Sequence, residues 1–254
     1  MATFNTDTAL RFINAEFLPL TDGRVREVLD PATLQPVGQV GVCGEVDVQA
    51  AIDAATAAQK QWRVVDAKSR AARLHQLANA IEQNLACNRE VARLMTLEMG
   101  KPFPEAMGEL ANCAPIFRYY AEMARDDAGK VAGTTQIGSF QHVRYEPYGV
   151  SVHIMPFNFP ILLMCWTVAA SLAAGNACII KPAEATTLCT LKFMEHFTAL
   201  LTGLVSCVPG DAVTAQLLVQ SAQTHAVAFT GSVAAGKAVA VACAERMKPC
   251  VIEA

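Results

Sequence analysis

From Pro147 to Ile180 the chain carries no Asp, Glu, Lys or Arg. A stretch that long without charge must be shielded from water, by lipid or by protein packed on every side. A helix that spans a bilayer needs about 20 consecutive apolar residues. Here Pro156, Asn158 and Pro160 interrupt the first half and Gly175-Asn176 close the second. The clean piece, "ILLMCWTVAASLAA" (161–174), is shorter than a span. A strand followed by a helix, both buried in a parallel sheet, accounts for the run without a membrane.

The flanking sequence agrees. After Tyr148, short β-branched runs alternate with helical stretches: "GVSVHI", a helix from about 160 to 174, "ACIIK", a helix near 187–202, "LVSCV", a helix near 211–221, "AVAFT", a helix near 232–246, and "CVIE". This alternation predicts an α/β fold, a Rossmann-like doubly wound parallel sheet of about five strands. An N-terminal helical segment precedes it. Val48, Ile52, Ala55, Ala58 and Trp62 recur at helical spacing, with Asp47 as N-cap. Leu74, Leu77, Ile81 and Leu85 repeat the pattern, and Val91, Leu94 and Leu97 continue it to a stop at Gly100. A further helix is expected from about Pro104 to Asp127. The first forty-odd residues read as short strands with turns at Pro31, Pro36 and Gly38, and "TTQIGSFQHVRYEP" (134–147) as extended strand.

Composition narrows the function classes. Hydrophobic residues make up 53% of the chain and charged residues 17%, which builds a large core and excludes disorder. The net charge is −3 with no basic patch, so neither nucleic acid nor a membrane is expected as partner. The nine cysteines are an odd number without a C-x-x-C pair, which suits neither a zinc site nor a disulfide scaffold. They read as reduced, buried thiols, hence a cytoplasmic location and no metal. The start, "MATFNTDTALRF", lacks the basic and apolar regions of a secretory signal.

Doubly wound sheets bind ligands beyond the carboxyl ends of their strands. Those ends are "MPFNFP", "KPAE", "VPGD" (with Gly210), "FTGS" and "EA". In "FTGSVAAGKA", Gly231 turns the chain and Ser232 opens a helix, a natural phosphate site, or else an ordinary turn. Gly231, Gly236 and Lys237 also approach a P-loop, but Ala238 stands where magnesium needs Ser or Thr, which argues against a nucleotide hydrolase. In "KPAE", Lys181 and Glu184 either serve ribose hydroxyls, where the carboxylate favours NAD over NADP, or are a surface Lys and a helix-entry Glu. In "MPFNFP", Asn158 either caps the helix that Pro160 opens or presents its amide as a fixed oxyanion donor.

These four motifs, "MPFNFP", "KPAE", "FTGS" and the final "IEA", in this order and spacing, resemble the aldehyde dehydrogenase superfamily over nearly the whole chain. The resemblance implies NAD-dependent oxidation of an aldehyde or semialdehyde to the carboxylic acid, with NAD as cofactor. It gives Asn158 the oxyanion role and Glu253, matching the Glu of E-x-G-G, the role of general base. It places Ile154, Met155, Pro156 and Phe157 on the nicotinamide side, Phe157 standing where many members have Trp. Lys181 and Glu184 would meet the adenosine ribose, and Gly231 and Ser232 the pyrophosphate; Gly210 joins this cofactor-binding set. Met164 and Cys165 would face a substrate tunnel or simply pack. Residues 133–146 would be an oligomerisation strand of a homo-oligomer.

The family's chemistry also needs a cysteine thiolate to attack the aldehyde. That cysteine follows E-x-G-G, and the sequence stops inside that motif. The expectation is therefore an N-terminal coenzyme-binding part, 1–254, without the catalytic domain and inactive alone. The alternative is a free-standing NAD-binding or oligomer-interaction module.

Overall fold

The computed structural model describes residues 4–126, 129–133 and 136–254. Five parallel strands are built from the alternating half: β7 (Val150–Ile154), β8 (Ala177–Lys181), β9 (Val205–Cys207), β10 (Ala226–Thr230) and β11 (Cys250–Glu253). They lie in the order β11-β10-β7-β8-β9, which is the doubly wound order. The helices α6 (Pro160–Ala174) and α7 (Thr187–Phe193) step the chain outward to β9. The chain then returns to the other side of β7 through α8 (Ala212–Gln220), and α9 (Val233–Ala244) leads to β11. Right-handed crossovers put the two helix pairs on opposite faces. Every residue of β7 and β8 is buried, and Lys181 at the end of β8 is their one charged residue.

The N-terminal strands enter the same sheet, which periodicity did not foretell. The hairpin of β1 (Leu10–Ile13) and β2 (Glu16–Pro19) pairs antiparallel onto β9 through Phe12 and Cys207. Among the described residues the sheet thus reaches seven strands. A second hairpin, β3 (Gly23–Leu29) with β4 (Pro36–Cys43), stands apart. The helices α1 (Glu45–Trp62), α2 (Ala67–Gln83) and α3 (Leu85–Met99) follow, with Gly100 ending α3 in the left-handed region at φ 80°. Leu85 is exposed because it opens α3 instead of closing α2.

Two helix expectations change. Asp47 is not the N-cap of α1: Gly44 holds that position, and Asp22 from the β2–β3 turn accepts from Val46 N (3.0 Å) and Asp47 N (2.9 Å). Asp47 is instead buried, pairs with Arg11 and accepts from Thr21 N. The helix expected from Pro104 to Asp127 is broken into α4 (Phe103–Ala111) and α5 (Cys113–Met123). Pro115 has no N–H for the carbonyl of Ala111 and its ring would crowd that turn, so the break falls at Asn112. Asp127 lies outside the described residues.

Of the segment expected as extended strand, 134–147, Gln141–Arg144 forms β6, which pairs with β5 (Gly129–Ala132) upstream of it in a small hairpin separate from the main sheet. Val131, Phe140 and Val143 on it are exposed. Thr134 and Thr135, within the expected 133–146 segment, lie outside the described residues. Among the described residues no helix is long and apolar enough to cross a membrane.

Candidate active site

Order reversal in the sheet falls between β7 and β10, which pair directly, Ile154 opposite Phe229. In doubly wound sheets the crevice beyond the carboxyl ends of the strands at such a switch point is where ligands bind. Two turns leave β7 and β10 there. The first, residues 155–159, joins β7 to α6. Ile154, Met155 and Pro156 are buried, while Phe157, Asn158 and Phe159 are exposed. Met155 N donates to Lys181 O at 3.0 Å, which ties the turn to β8. Asn158 does not cap α6: Phe159 is the N-cap residue, and it makes no side-chain cap bond. Among the described residues the Asn158 side-chain amide has no hydrogen-bond partner, so it is free to donate outward.

The second turn is Gly231-Ser232. Ser232 caps α9, its Oγ accepting from Ala235 N at 3.3 Å. The next N–H groups of a helix have no intrahelical partner, and Ser232, Val233 and Ala234 are exposed here. Gly231 is needed for space: a Cβ there would lie 2.8 Å from the Phe229 ring. Its N–H is already given to Glu253 O at 3.0 Å.

Glu253 ends β11, in register with Thr230. It is exposed, and its carboxylate has no protein partner among the described residues. β7 and β11 flank β10, which puts their backbones about 10 Å apart. Asn158 and Glu253 thus lie on opposite sides of the carboxyl end of β10. β11 itself is mostly exposed, because it is the sheet's edge and only β10 covers one side.

Lys181 and Glu184 follow β8. Lys181 is buried and donates to Pro182 O at 3.1 Å. Burial holds its ammonium below the usual lysine range, against the pull of Glu184 and Asp211. Glu184 is exposed and bound by Arg26 of β3, whose Nη2 also donates to Glu184 O at 2.7 Å. Gly210 is buried, and a Cβ on it would lie 2.1 Å from Thr214 Oγ1, so close packing of α8 explains it. Met164 and Cys165 point into the core. The outward face of α6 is Leu162 and Trp166, which with Ile116, Tyr119 and Tyr120 line an apolar groove of about 430 Å³.

Lys101, Glu109 and Arg26 were missed by sequence reasoning. Glu109 had a signal: it falls at the inward helical phase with Ala106 and Leu110, where a charge needs a reason. Arg26 had none, because its contact spans 158 residues.

The cysteines are the residues to weigh as nucleophiles. Eight of the nine are buried. Burial pushes the Cys178 thiol up to about 12, and Cys165 and Cys207 also lie well above the ordinary range. Cys250 is exposed, but at the opposite, amino end of β11.

Comparisons with known proteins bear on the family. The model of the aldehyde dehydrogenase family matches residues 19–254. Retinaldehyde dehydrogenase 3 of Rattus norvegicus is 37% identical over 235 residues, 90% of this chain and 45% of its own length. Hydroxyisobutyraldehyde dehydrogenase of Mycolicibacterium austroafricanum is 32% identical, over 91% of this chain and 46% of its own. The NAD+ complex of aldehyde dehydrogenase from Bacillus cereus superposes with a TM-score of 0.89 at 30% identity, covering 97% of this chain and 50% of that one. The chain spans about half the length of the curated relatives it matches. With a family model matched over nearly its whole length, the chain belongs to the aldehyde dehydrogenase family.

Proposed function

We propose that residues 1–254 are the coenzyme-binding part of an NAD-dependent aldehyde dehydrogenase that oxidises an aldehyde to the carboxylic acid. The observation that carries this is the switch point between β7 and β10. The turn bearing Asn158 and the turn bearing Ser232 leave that one crevice, with Glu253 beside it.

The residues present fit a dinucleotide. The exposed first turn of α9 offers N–H groups and the positive end of its dipole to a pyrophosphate. Glu184 and Lys181 offer an acceptor and a donor to ribose hydroxyls. The Glu184 carboxylate disfavours a 2′-phosphate, although Arg26 offsets part of that charge. Phe157, the exposed ring after Pro156, gives a flat apolar surface at the crevice mouth. When bound, a nicotinamide supplies the hydride acceptor.

The protein's own residues have distinct tasks. The Asn158 side-chain amide donates to the carbonyl oxygen of the aldehyde, and that bond strengthens as the oxygen gains negative charge. Glu253 accepts a proton from the water that hydrolyses the acyl group. The groove along Leu162 and Trp166 receives an apolar aldehyde chain. Attack on the aldehyde needs a thiolate, and the burial of eight of the nine cysteines supports a nucleophile from elsewhere. We further infer that 133–146 serves assembly, since the β5–β6 hairpin presents the apolar side chains of Val131, Phe140 and Val143 on its surface.

The test is direct. NAD+ should bind to the 254-residue chain by calorimetry, while mixing that chain with NAD+ and hexanal should produce no NADH. Absence of NAD+ binding would overturn the coenzyme role; sustained NADH formation would overturn the assignment of the nucleophile.

A further inference from the structure

Lys101 and Glu109 have no task in the reaction above, yet both are buried, with side chains 5% and 0% exposed. A buried ion pair stabilises little compared with apolar residues of the same volume. Its contacts suggest what it does instead. Lys101 Nζ pairs with Glu109 Oε2 and donates to the backbone carbonyl of Asn158 at 2.8 Å. It also lies 3.7 Å from the centre of the Phe159 ring, a cation–π contact with the next residue.

Glu109 uses its other oxygen on the far side of Asn158. Pro160 opens α6 without an N–H, and Phe159 supplies no side-chain cap. The first amides that need partners are those of Ile161 and Leu162, and both donate to Glu109 Oε1, at 2.9 and 3.0 Å. Upstream, Met155 N is fastened to Lys181 O. The backbone is therefore held before, at and after Asn158, while its side chain is left free. An apolar pair in place of Lys101 and Glu109 would fill the space but leave one carbonyl and two N–H groups unpartnered.

We propose that the buried Lys101–Glu109 pair is a positioning device for Asn158, setting the direction of its amide toward the substrate oxygen. This rests on the reading of Asn158 as the oxyanion donor. Neither residue touches substrate. Lys101 fixes the peptide that carries Asn158, and Glu109 fixes the helix start that follows it. A donor of this kind must be held within about 0.5 Å of its productive place.

The experiment is a double-mutant cycle in the native full-length protein with NAD+ and hexanal, joined to hydrogen–deuterium exchange without substrate. Lys101→Met should speed exchange in 155–163 and leave β8 unchanged. It should lower kcat roughly ten- to a hundredfold while KM moves far less. Combined with Asn158→Ala it should add almost nothing, because both changes remove one interaction. Should Lys101→Met fail to fold, Glu109→Gln, which keeps an oxygen for the α6 amides, completes the same cycle. Losses that multiply in the double variant, or unchanged exchange in 155–163, overturn the proposal. A normal Asn158→Ala loss beside an unaffected Lys101→Met overturns the positioning role alone. An intact kcat in Asn158→Ala overturns the oxyanion reading, and the positioning role with it.

Discussion

Two turns leave the same edge of the sheet from neighbouring strands, and they are built in opposite ways. The turn from β7 to α6 is held by other parts of the protein: by Lys181 at its start, and by Lys101 and Glu109 at its end. The turn from β10 to α9 is held mainly by itself, through the Ser232 cap and one bond from Gly231 to β11. The difference matches what each would meet. A donor aimed at a charge that develops during a reaction must be fixed beforehand, since reorienting it would add to the barrier. A site for an anion already charged on arrival works by leaving N–H groups open for the ligand to satisfy.

The largest effect should come from the one side chain the fixed turn leaves free. Asn158→Ala in the native full-length protein should lower kcat by roughly 10²–10³-fold, the usual loss for one oxyanion donor. Stability should move by less than about 0.5 kcal/mol, because the side chain is exposed and supports nothing around it. Paired kinetics and thermal unfolding check this. A large fall in Tm would make Asn158 part of the frame rather than the group the frame presents.

A third turn, from β8 to α7, sharpens the contrast. Like α6, α7 is capped by a carboxylate from the helical layer: Glu98 accepts from Leu188 N (2.9 Å) and Cys189 N (2.7 Å). Unlike Glu109, Glu98 has no ion-pair partner among the described residues. Burial pushes its carboxyl up to about 7, against the pull of its hydrogen bonds with Cys189 and Leu188. The folded state therefore keeps this proton where the unfolded chain, near 4.5, has lost it. Stability from this group is fully present below about 4.5 and is lost as pH rises to about 7. At about 1.4 kcal/mol per unit the loss is about 3 kcal/mol. Glu98→Gln should flatten that part of the stability profile in urea unfolding between pH 4.5 and 7. An unchanged slope would show that Glu98 stays ionised, held by its two amides.

What was legible in the sequence follows from the range of the forces involved. The parallel sheet was legible because burial on both faces imposes a local composition, as in "VSVHI" and "ACIIK". The turns at Asn158 and Ser232 were legible because proline and glycine mark them. The capping carboxylates were not, since Glu109 serves amides 52 and 53 residues away and Glu98 serves amides 90 and 91 away. Asp47 shows the same limit. It stands where a local N-cap is expected, yet it is spent on Arg11, and Asp22 from the preceding turn does the capping. The β1–β2 hairpin joins the sheet because the edge of β9 is open there, and nothing in the hairpin's own residues announces that.

The smallest effect should come from the self-held turn. Ser232→Ala removes one cap bond, worth about 1 kcal/mol of stability. It leaves the backbone N–H groups of α9 in place, so NAD+ affinity should fall by only a few-fold, about as much as a slightly frayed first turn would cost. Calorimetry on the 254-residue chain reads both quantities, through unfolding and through titration with NAD+. The value of this variant lies in its mildness. If turnover in the native full-length protein changes only through KM for NAD+, the turn acts as an anion seat and the contrast with Asn158 holds. If kcat falls as steeply as in Asn158→Ala, the β10–α9 turn orients the reacting groups as well. The crevice would then be built from two fixed walls, and the openness of Ser232 would be a feature of the coenzyme-free state alone.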